Sequence, residues 1–241
     1  MKAIGVIPSR YNSTRFPGKP LFVINGKTLL ERVWRRAKKS RLLDEIIIAT
    51  DDQRIFETAK RFNAKIFMTS KNCKSGTDRL AEVAKKTGKK YDIFINIQGD
   101  EPLISPLLID NLIKELKKNK ETSVVTAVYP LKNKKEILSP NVVKTVLDKK
   151  GFALYFSRYP IPYNRDKKKA RYYKHIGIYG YRKDFLIKFS AMAQTGLEKT
   201  EQLEQLRILE NGFKIKTILS KTDSLGVDVP QDIKKIQWML S

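Results

Sequence analysis

Along the first half of the chain, short apolar runs alternate with segments whose apolar residues recur every three to four positions. "KAIGVIP" reads as a first strand and "TLLERVWRRAKK" as a helix, because Leu29, Leu30, Val33, Trp34 and Ala37 share one helical face. "EIIIAT" is a strand, and "DQRIFETAKRF" is a helix with Ile55, Phe56, Ala59 and Phe62 aligned. "KIFMT" and "TDRLAEVAKK" repeat the alternation, followed by the strand "DIFINIQG" and the helix "SPLLIDNLIKELKKN". That helix has Ser105 as its N-cap, Pro106 at its first position and lysines in its last turn. This β-α-β-α order predicts an α/β fold, a mostly parallel sheet flanked by helices, with ligands bound at the carboxyl ends of the strands.

Past Thr122 the pattern changes. "SVVTAVYP", "NVVKTVLD" and "ALYFSRYPIPY" are strand-like, with proline punctuation and little helix between them. Helices are expected near "DFLIKFSAM" and over "TEQLEQLRILENG", the second closed by Gly212. A strand "KIKTILS" and a terminal helix from Pro230 follow. No internal repeat or linker divides the chain, so residues 1–241 are read as one domain.

Composition narrows the class. With 41% hydrophobic and 10% aromatic residues the chain can bury a substantial core. No apolar run approaches a membrane span, and "MKAIGVIPSR" has no secretory h-region, so a cytoplasmic location is expected. The single cysteine, Cys73, excludes an internal disulfide and has no partner pattern for nucleophilic chemistry. Forty-nine Lys and Arg against 25 Asp and Glu give a formal charge of +24. That balance suits nucleic acid or small anions, but "KKNK", "KNKK" and "RDKKKARYYK" fall at helix ends and loop tips, where solvated lysines also belong. No nucleic-acid-binding motif accompanies the charge, and neither nucleic acid nor membrane is expected as a partner.

The chemistry gathers in loops. "IPSRYNSTRFPGKPL" follows the first strand and carries Arg10, Arg15 and Lys19. It is not a Walker A loop, since Pro20 follows the "GK", and the chain has no GxGxxG. Its cations can clamp a polyphosphate through side chains, or simply be solvated. In "NIQGDEPL", Asp100 and Glu101 end an apolar strand, which suits Mg²⁺ bridging to phosphate oxygens, or an acidic turn before a helix. Asp228 in "GVDVPQD" offers a second carboxylate, and Asp232 reads as a first-turn helix acid. "SGTDR" (Ser75 to Arg79) reads equally as a nucleotide-contacting helix start and as a plain N-cap. The only histidine, His175, sits in the apolar "HIGIYGY".

Taken together and in order, "PSRYNSTRFPGKPL", "ATDD", "SGTDR", "NIQGDEPLI", "YFSRYPIPY", "HIGIYGYR", "EKTEQLEQLRILENG" and "GVDVPQD" closely resemble the 3-deoxy-manno-octulosonate (Kdo) cytidylyltransferase family. The resemblance covers nearly the whole chain. It implies a Rossmann-like nucleotidyltransferase fold with a small β-rich elaboration for substrate binding and dimerisation. It also implies a homodimer that converts CTP and Kdo, with Mg²⁺, into CMP-Kdo and pyrophosphate for lipopolysaccharide assembly. Carried over by position, Arg10, Arg15 and Lys19 are implied triphosphate cations. Ser75, Thr77 and Arg79 surround the cytosine nucleotide, and Gln98 lies between nucleotide and sugar. Asp100 and Asp228 hold the metal, while Arg158, His175, Tyr179, Glu204 and Gln205 hold the sugar acid. Tyr159-Pro160 and Gly180 depart from the pattern without replacing any of these residues. The alternative is a cytidylyltransferase for 8-amino-Kdo, which no residue here separates from Kdo, or for a sialic acid, whose enzymes share the basic loop but are not expected to show "YFSR…IP", "HIGIYGYR" and "EKTEQLEQLR" together; a nucleic-acid binder is the reading that the charge alone suggests.

Overall fold

The structure, a computed structural model, describes residues 1–12, 16–166, 170–227 and 229–240. Strand β1 (Ala3–Ser9) leads through a loop to the hairpin β2 (Val23–Ile24) and β3 (Lys27–Thr28) and helix α1 (Leu29–Ala37). Next come β4 (Glu45–Thr50), α2 (Gln53–Arg61), β5 (Lys65–Met68), α3 (Gly76–Lys86), β6 (Ile93–Asn96) and α4 (Pro106–Lys118). The second half holds β7 (Val124–Leu131), α5 (Lys134–Leu138), β8 (Lys144–Leu147), β9 (Ala153–Ser157), β10 (Tyr172–Arg182) and α6 (Lys183–Ser190). It ends with α7 (Gly196–Glu201), α8 (Leu206–Glu210), β11 (Lys216–Leu219) and α9 (Asp232–Leu240).

The main sheet runs β11-β7-β10-β6-β1-β4-β5. Pairing is parallel for β11–β7, β6–β1, β1–β4 and β4–β5, and β10 alone in this path runs antiparallel to both its neighbours, β6 and β7. β1 and β6 are buried on both faces, which is why they read as continuous apolar runs instead of alternating ones. One face packs on α1, α2 and α4 through residues such as Leu30, Val33, Ile55, Leu112 and Leu116. The other packs on α3, α6 and α8 through Leu80, Val83, Phe185, Phe189 and Leu206. Each fully buried Leu or Ile on these faces stabilises by roughly 1.5–3 kcal/mol. A smaller cluster joins Ile24 and Leu29 to Ile233 and Ile236 of α9.

The helix starts follow from local chemistry. Thr28 caps α1 by accepting from the Glu31 N–H at 3.2 Å. Ser105 caps α4 by accepting from the Leu108 N–H, with Pro106 next, as the sequence predicts. The β-rich elaboration is the β8–β9 hairpin, which pairs with the first part of β10 at Tyr173 and Lys174. One expectation is corrected. "TEQLEQLRILENG" is not a continuous helix but the end of α7, a turn over residues 202–205, and α8. Gln202 takes a left-handed conformation (φ 53°), and Arg158 holds the carbonyls of Glu201 and Gln202 that end α7. No helix among the described residues is long and apolar enough to cross a membrane.

Candidate active site

The cation loop leaves the end of β1 and folds back on itself. Gly18 donates to the Tyr11 carbonyl at 2.9 Å with φ 70°, and a Cβ there would lie 3.2 Å from the Tyr11 ring. Only glycine takes both the backbone angle and the close approach without strain. Arg10 is exposed and donates to the Lys74 carbonyl at 2.5 Å, fastening the loop to the segment before α3. Lys19 opens a short 3-10 turn and points back to the turn after β6. Its Nζ donates to Asp100 Oδ2 at 2.6 Å and to the Val227 carbonyl at 2.8 Å. The implied phosphate cation and the implied metal ligand therefore form one ion pair, with both side chains about a third exposed or less. Arg15 and Asp228 lie outside the described residues.

The turn bearing Asp100 presses against the end of β1, where a Cβ on Gly99 would meet the Pro8 carbonyl and Ser9 Oγ, both at 3.1 Å. Segment 223–227 closes over it: Val227 N–H donates to the Asp100 carbonyl (2.9 Å) and Ser224 Oγ to Glu101 Oε2 (2.6 Å). Glu101 is buried, and that burial pushes its pKa up to about 7.

Ser75 is the N-cap of α3, in a capping box with Asp78. The plain cap reading of "SGTDR" is thus fulfilled, and Ser75, Gly76 and Asp78 also line a cleft of about 960 Å³ with Arg10 and Glu204. Thr77 Oγ1 donates across this region to Glu204 Oε2 at 2.6 Å. Burial raises the Glu204 pKa, against the pull of the Thr77 and Ser75 hydroxyls and Arg207. Arg79 is fully buried. It pairs with Asp51 Oδ2 (3.0 Å) beyond β4 and donates to Thr69 Oγ1 (2.5 Å) beyond β5, so it ties two loops together from beneath.

On the α3 face of the sheet, Asn96, Tyr179 and Thr126 stand opposite one another on β6, β10 and β7. β10 bulges between Ile176 and Tyr179, and Gln98 fills the irregularity by donating to the Gly177 carbonyl at 3.1 Å. His175 lies between Phe156 and Tyr179, with ring centroids at 5.0 and 5.3 Å. It keeps part of its surface open, but its apolar surroundings lower its pKa to about 3, so it is neutral at physiological pH. Thr126 Oγ1 lies 3.0 Å from His175 Nε2 and 2.8 Å from the Ile178 carbonyl. With the single hydroxyl proton given to Ile178, Nε2–H donates to Thr126 and Nδ1 is left as an acceptor. Arg158 directs three N–H groups at the carbonyls of Glu201, Pro140 and Gln202, at 2.8, 3.1 and 3.4 Å.

Among the described residues, six buried side-chain polar atoms lack a partner: Ser9 Oγ, Arg79 Nε, Asn96 Oδ1, Tyr179 Oη, Gln205 Nε2 and Thr195 Oγ1. All but Thr195 belong to the segments just described. Buried polar groups are normally paired, so this concentration makes these segments the candidate place for a polar ligand.

Residues 4–218 match the cytidylyltransferase family. The 3-deoxy-manno-octulosonate cytidylyltransferase of Fusobacterium nucleatum subsp. nucleatum is 50% identical over 236 residues, 98% of this chain and 96% of its own. The enzyme of that name from Geobacter metallireducens is 46% identical over 100% of this chain and 98% of its own. A solved structure of CMP:2-keto-3-deoxy-manno-octonic acid synthetase complexed with CTP superposes with a TM-score of 0.95, at 41% identity, over 100% of this chain and 98% of that one. The chain belongs to the 3-deoxy-manno-octulosonate cytidylyltransferase family. Its sheet and helices are the Rossmann-like nucleotidyltransferase fold expected from the motifs.

In this cytidylyltransferase, Arg10, Lys19, Ser75, Thr77, Gln98 and Asp100 gather at the carboxyl edge of β1 and β6. His175, Tyr179, Glu204 and Gln205 stand on β10 and before α8. Thr77 joins the two groups through Glu204. Arg79 and Arg158 are bound instead to the carboxylate, hydroxyl and carbonyl groups of neighbouring segments. Sequence reasoning missed Ser9, Asn96 and Thr126, and left Asp51 without a role. A signal was present for two of them, since Asn96 and Thr126 are polar residues inside otherwise apolar strands.

Proposed function

We propose that this cytidylyltransferase moves CMP from CTP to the anomeric hydroxyl of Kdo, giving CMP-Kdo for lipopolysaccharide assembly and releasing pyrophosphate. The observation that carries the reading is the Lys19–Asp100 pair, which stands between the cation loop and the polar row on β6, β10 and β7. A bond forms between the anomeric oxygen and the α-phosphorus while the α–β phosphoanhydride breaks, and the hydroxyl proton is released to water. Arg10, Arg15 and Lys19 stabilise the departing pyrophosphate. Lys19 has a third N–H for this beyond the two given to Asp100 and Val227. Nδ1 of His175 accepts from a sugar hydroxyl, Tyr179, Glu204 and Gln205 orient others, and Arg158 pairs with the sugar's carboxylate through the two guanidinium N–H groups left after the three given to carbonyls.

Asp100 and Asp228 would hold Mg²⁺. Carboxylate oxygens are the hard donors this ion takes, and it is commonly bound by one or two of them together with substrate phosphates. When bound, the ion neutralises charge at the α-phosphate and lowers the pKa of the attacking hydroxyl.

A homodimer is part of the proposal. Leu154 on β9 and Tyr159 and Tyr163 in the segment after it, 61%, 76% and 86% exposed, are apolar surface that a second copy would cover. Light scattering on the eluting protein gives the oligomeric state directly. The nucleotide substrate and the single cysteine favour the cytoplasm.

The test is pyrophosphate release with CTP, Mg²⁺ and, in parallel, Kdo, 8-amino-Kdo, N-acetylneuraminate or no sugar. Release with Kdo alone is expected, and preference for another acid moves the acceptor. Asp100→Asn should abolish turnover in a folded protein. Lys19→Ala should weaken activity and CTP affinity together, and an unchanged CTP affinity rules out the clamp.

A further inference from the structure

We infer that Asn96 is an acceptor-binding residue, whose carboxamide takes a hydrogen bond from a hydroxyl of the sugar acid that Tyr179 also contacts. The inference rests on the reading above that the acceptor lies along the row on β6, β10 and β7.

Asn96 ends β6 and is 3% exposed, yet its Oδ1 has no partner among the described residues. Two residues earlier on the same face stands Phe94, and Val6 faces Asn96 from β1, so an aliphatic side chain would satisfy packing at this position. An unpaired buried amide is costly, and such a group persists where a ligand completes it. Across β10 its register partner is Tyr179, whose hydroxyl is also buried and has only a weak approach to Thr126, short of hydrogen-bond geometry. A single substrate hydroxyl satisfies both, accepting from the Tyr179 O–H and donating to Asn96 Oδ1. Turning the amide over exchanges the roles without removing the demand for a partner.

The amide is also within reach of the cleft. Gly76, a lining residue of the 960 Å³ cleft, roofs it: a Cβ there would lie 4.0 Å from Asn96 Nδ2 and 3.2 Å from Pro8 Cγ. Gly76 therefore puts no side chain of its own over the amide. The polar stretch of the row begins at Asn96 and continues through Tyr179 and Thr126, away from the nucleotide loops on β1, β4 and β5. This direction assigns it to the acceptor.

Pyrophosphate release is measured for wild type, Asn96→Leu and Asn96→Asp with Kdo and CTP varied in turn, alongside ligand-free melting. Asn96→Leu should raise KM for Kdo about tenfold or more and leave KM for CTP within about twofold. Its ligand-free melting temperature should stay level or rise by about 2 °C or more, because an unpaired buried group has been removed. Asn96→Asp, which keeps an acceptor oxygen, should recover part of the Kdo affinity. If Asn96→Leu does not fold, Asn96→Ala read in the same way decides. An unchanged KM for Kdo overturns the inference. So does a rise in KM for CTP, which places the residue on the nucleotide, or a fall in melting temperature with both KM values moving together. Wild-type protein silent with Kdo overturns the functional reading and the inference with it, whereas active wild type with an indifferent variant overturns the inference alone.

Discussion

His175 gives a pH dependence that can be worked out in advance. Its apolar setting lowers its pKa from 6.5 to about 3. The native protein therefore binds fewer protons than the unfolded chain across that window, and acid favours unfolding. The contribution is complete above the unfolded pKa and is lost as pH falls toward the folded one. At about pH 5 the unfolded imidazole is almost fully protonated and the native one is not, a gap of about 1.5 pH units or roughly 2 kcal/mol. Urea titrations of wild type and His175→Gln at about pH 7.5 and pH 5 isolate this contribution. Wild type should lose about 2 kcal/mol more than the variant between the two pH values. Because the chain has one histidine, a single ring resonance in a proton NMR titration reports the group directly. A native-state midpoint near the ordinary histidine value, or equal losses in the two proteins, would refute the assignment of a neutral ring that serves as a hydrogen-bond acceptor.

Arg79→Met should destabilise by about 3 kcal/mol in urea melts, since it strands Asp51 and Thr69 beneath the loops, and should raise KM for CTP through those loops. A stable variant with unaltered KM would show that the pair does not position them. Gly99→Ala should cost about 1–3 kcal/mol by forcing its Cβ against the Pro8 carbonyl and Ser9 Oγ, and should cut kcat more steeply than stability implies; unchanged kcat would show that the Asp100 turn tolerates displacement. Arg158→Lys keeps the charge but loses the fork that holds Glu201 and Gln202. It should raise KM for Kdo while KM for CTP stays level, and a fall in melting temperature without that split would assign Arg158 to scaffolding alone.

What the sequence disclosed is what local chemistry determines. Ser105 followed by Pro106 starts a helix wherever it stands, and the buried runs of β1 and β6 announce a parallel sheet. The break at Gln202 was hidden because its causes are distant: Glu204 is held by Thr77, 127 residues away in the chain, and Arg158 caps α7 from the end of β9. Helix α5 was hidden for the opposite reason, since "KKEIL" buries no residue and so lacks an apolar stripe. Strand direction leaves no trace in an apolar pattern, so nothing in "HIGIYGYR" revealed that β10 runs against its neighbours. The site residues came from motif order. Their pairings, Lys19 with Asp100 and Thr77 with Glu204, came only from the fold.

β10 has a consequence for how such an enzyme changes over generations. At eleven residues it spans about 37 Å, gripped near one end by the β8–β9 hairpin and at the other by β6. His175, whose own N–H bonds to the Val143 carbonyl beside that hairpin, shares this ribbon with Tyr179. On the proposed assignment, substitutions on the hairpin's outer surface reach the sugar side along this one strand, through the bulge before Tyr179, while the nucleotide loops hang from β1, β4 and β5. A lineage can retune which acid it accepts by tinkering with a surface hairpin, and keep its handling of CTP intact while it does so.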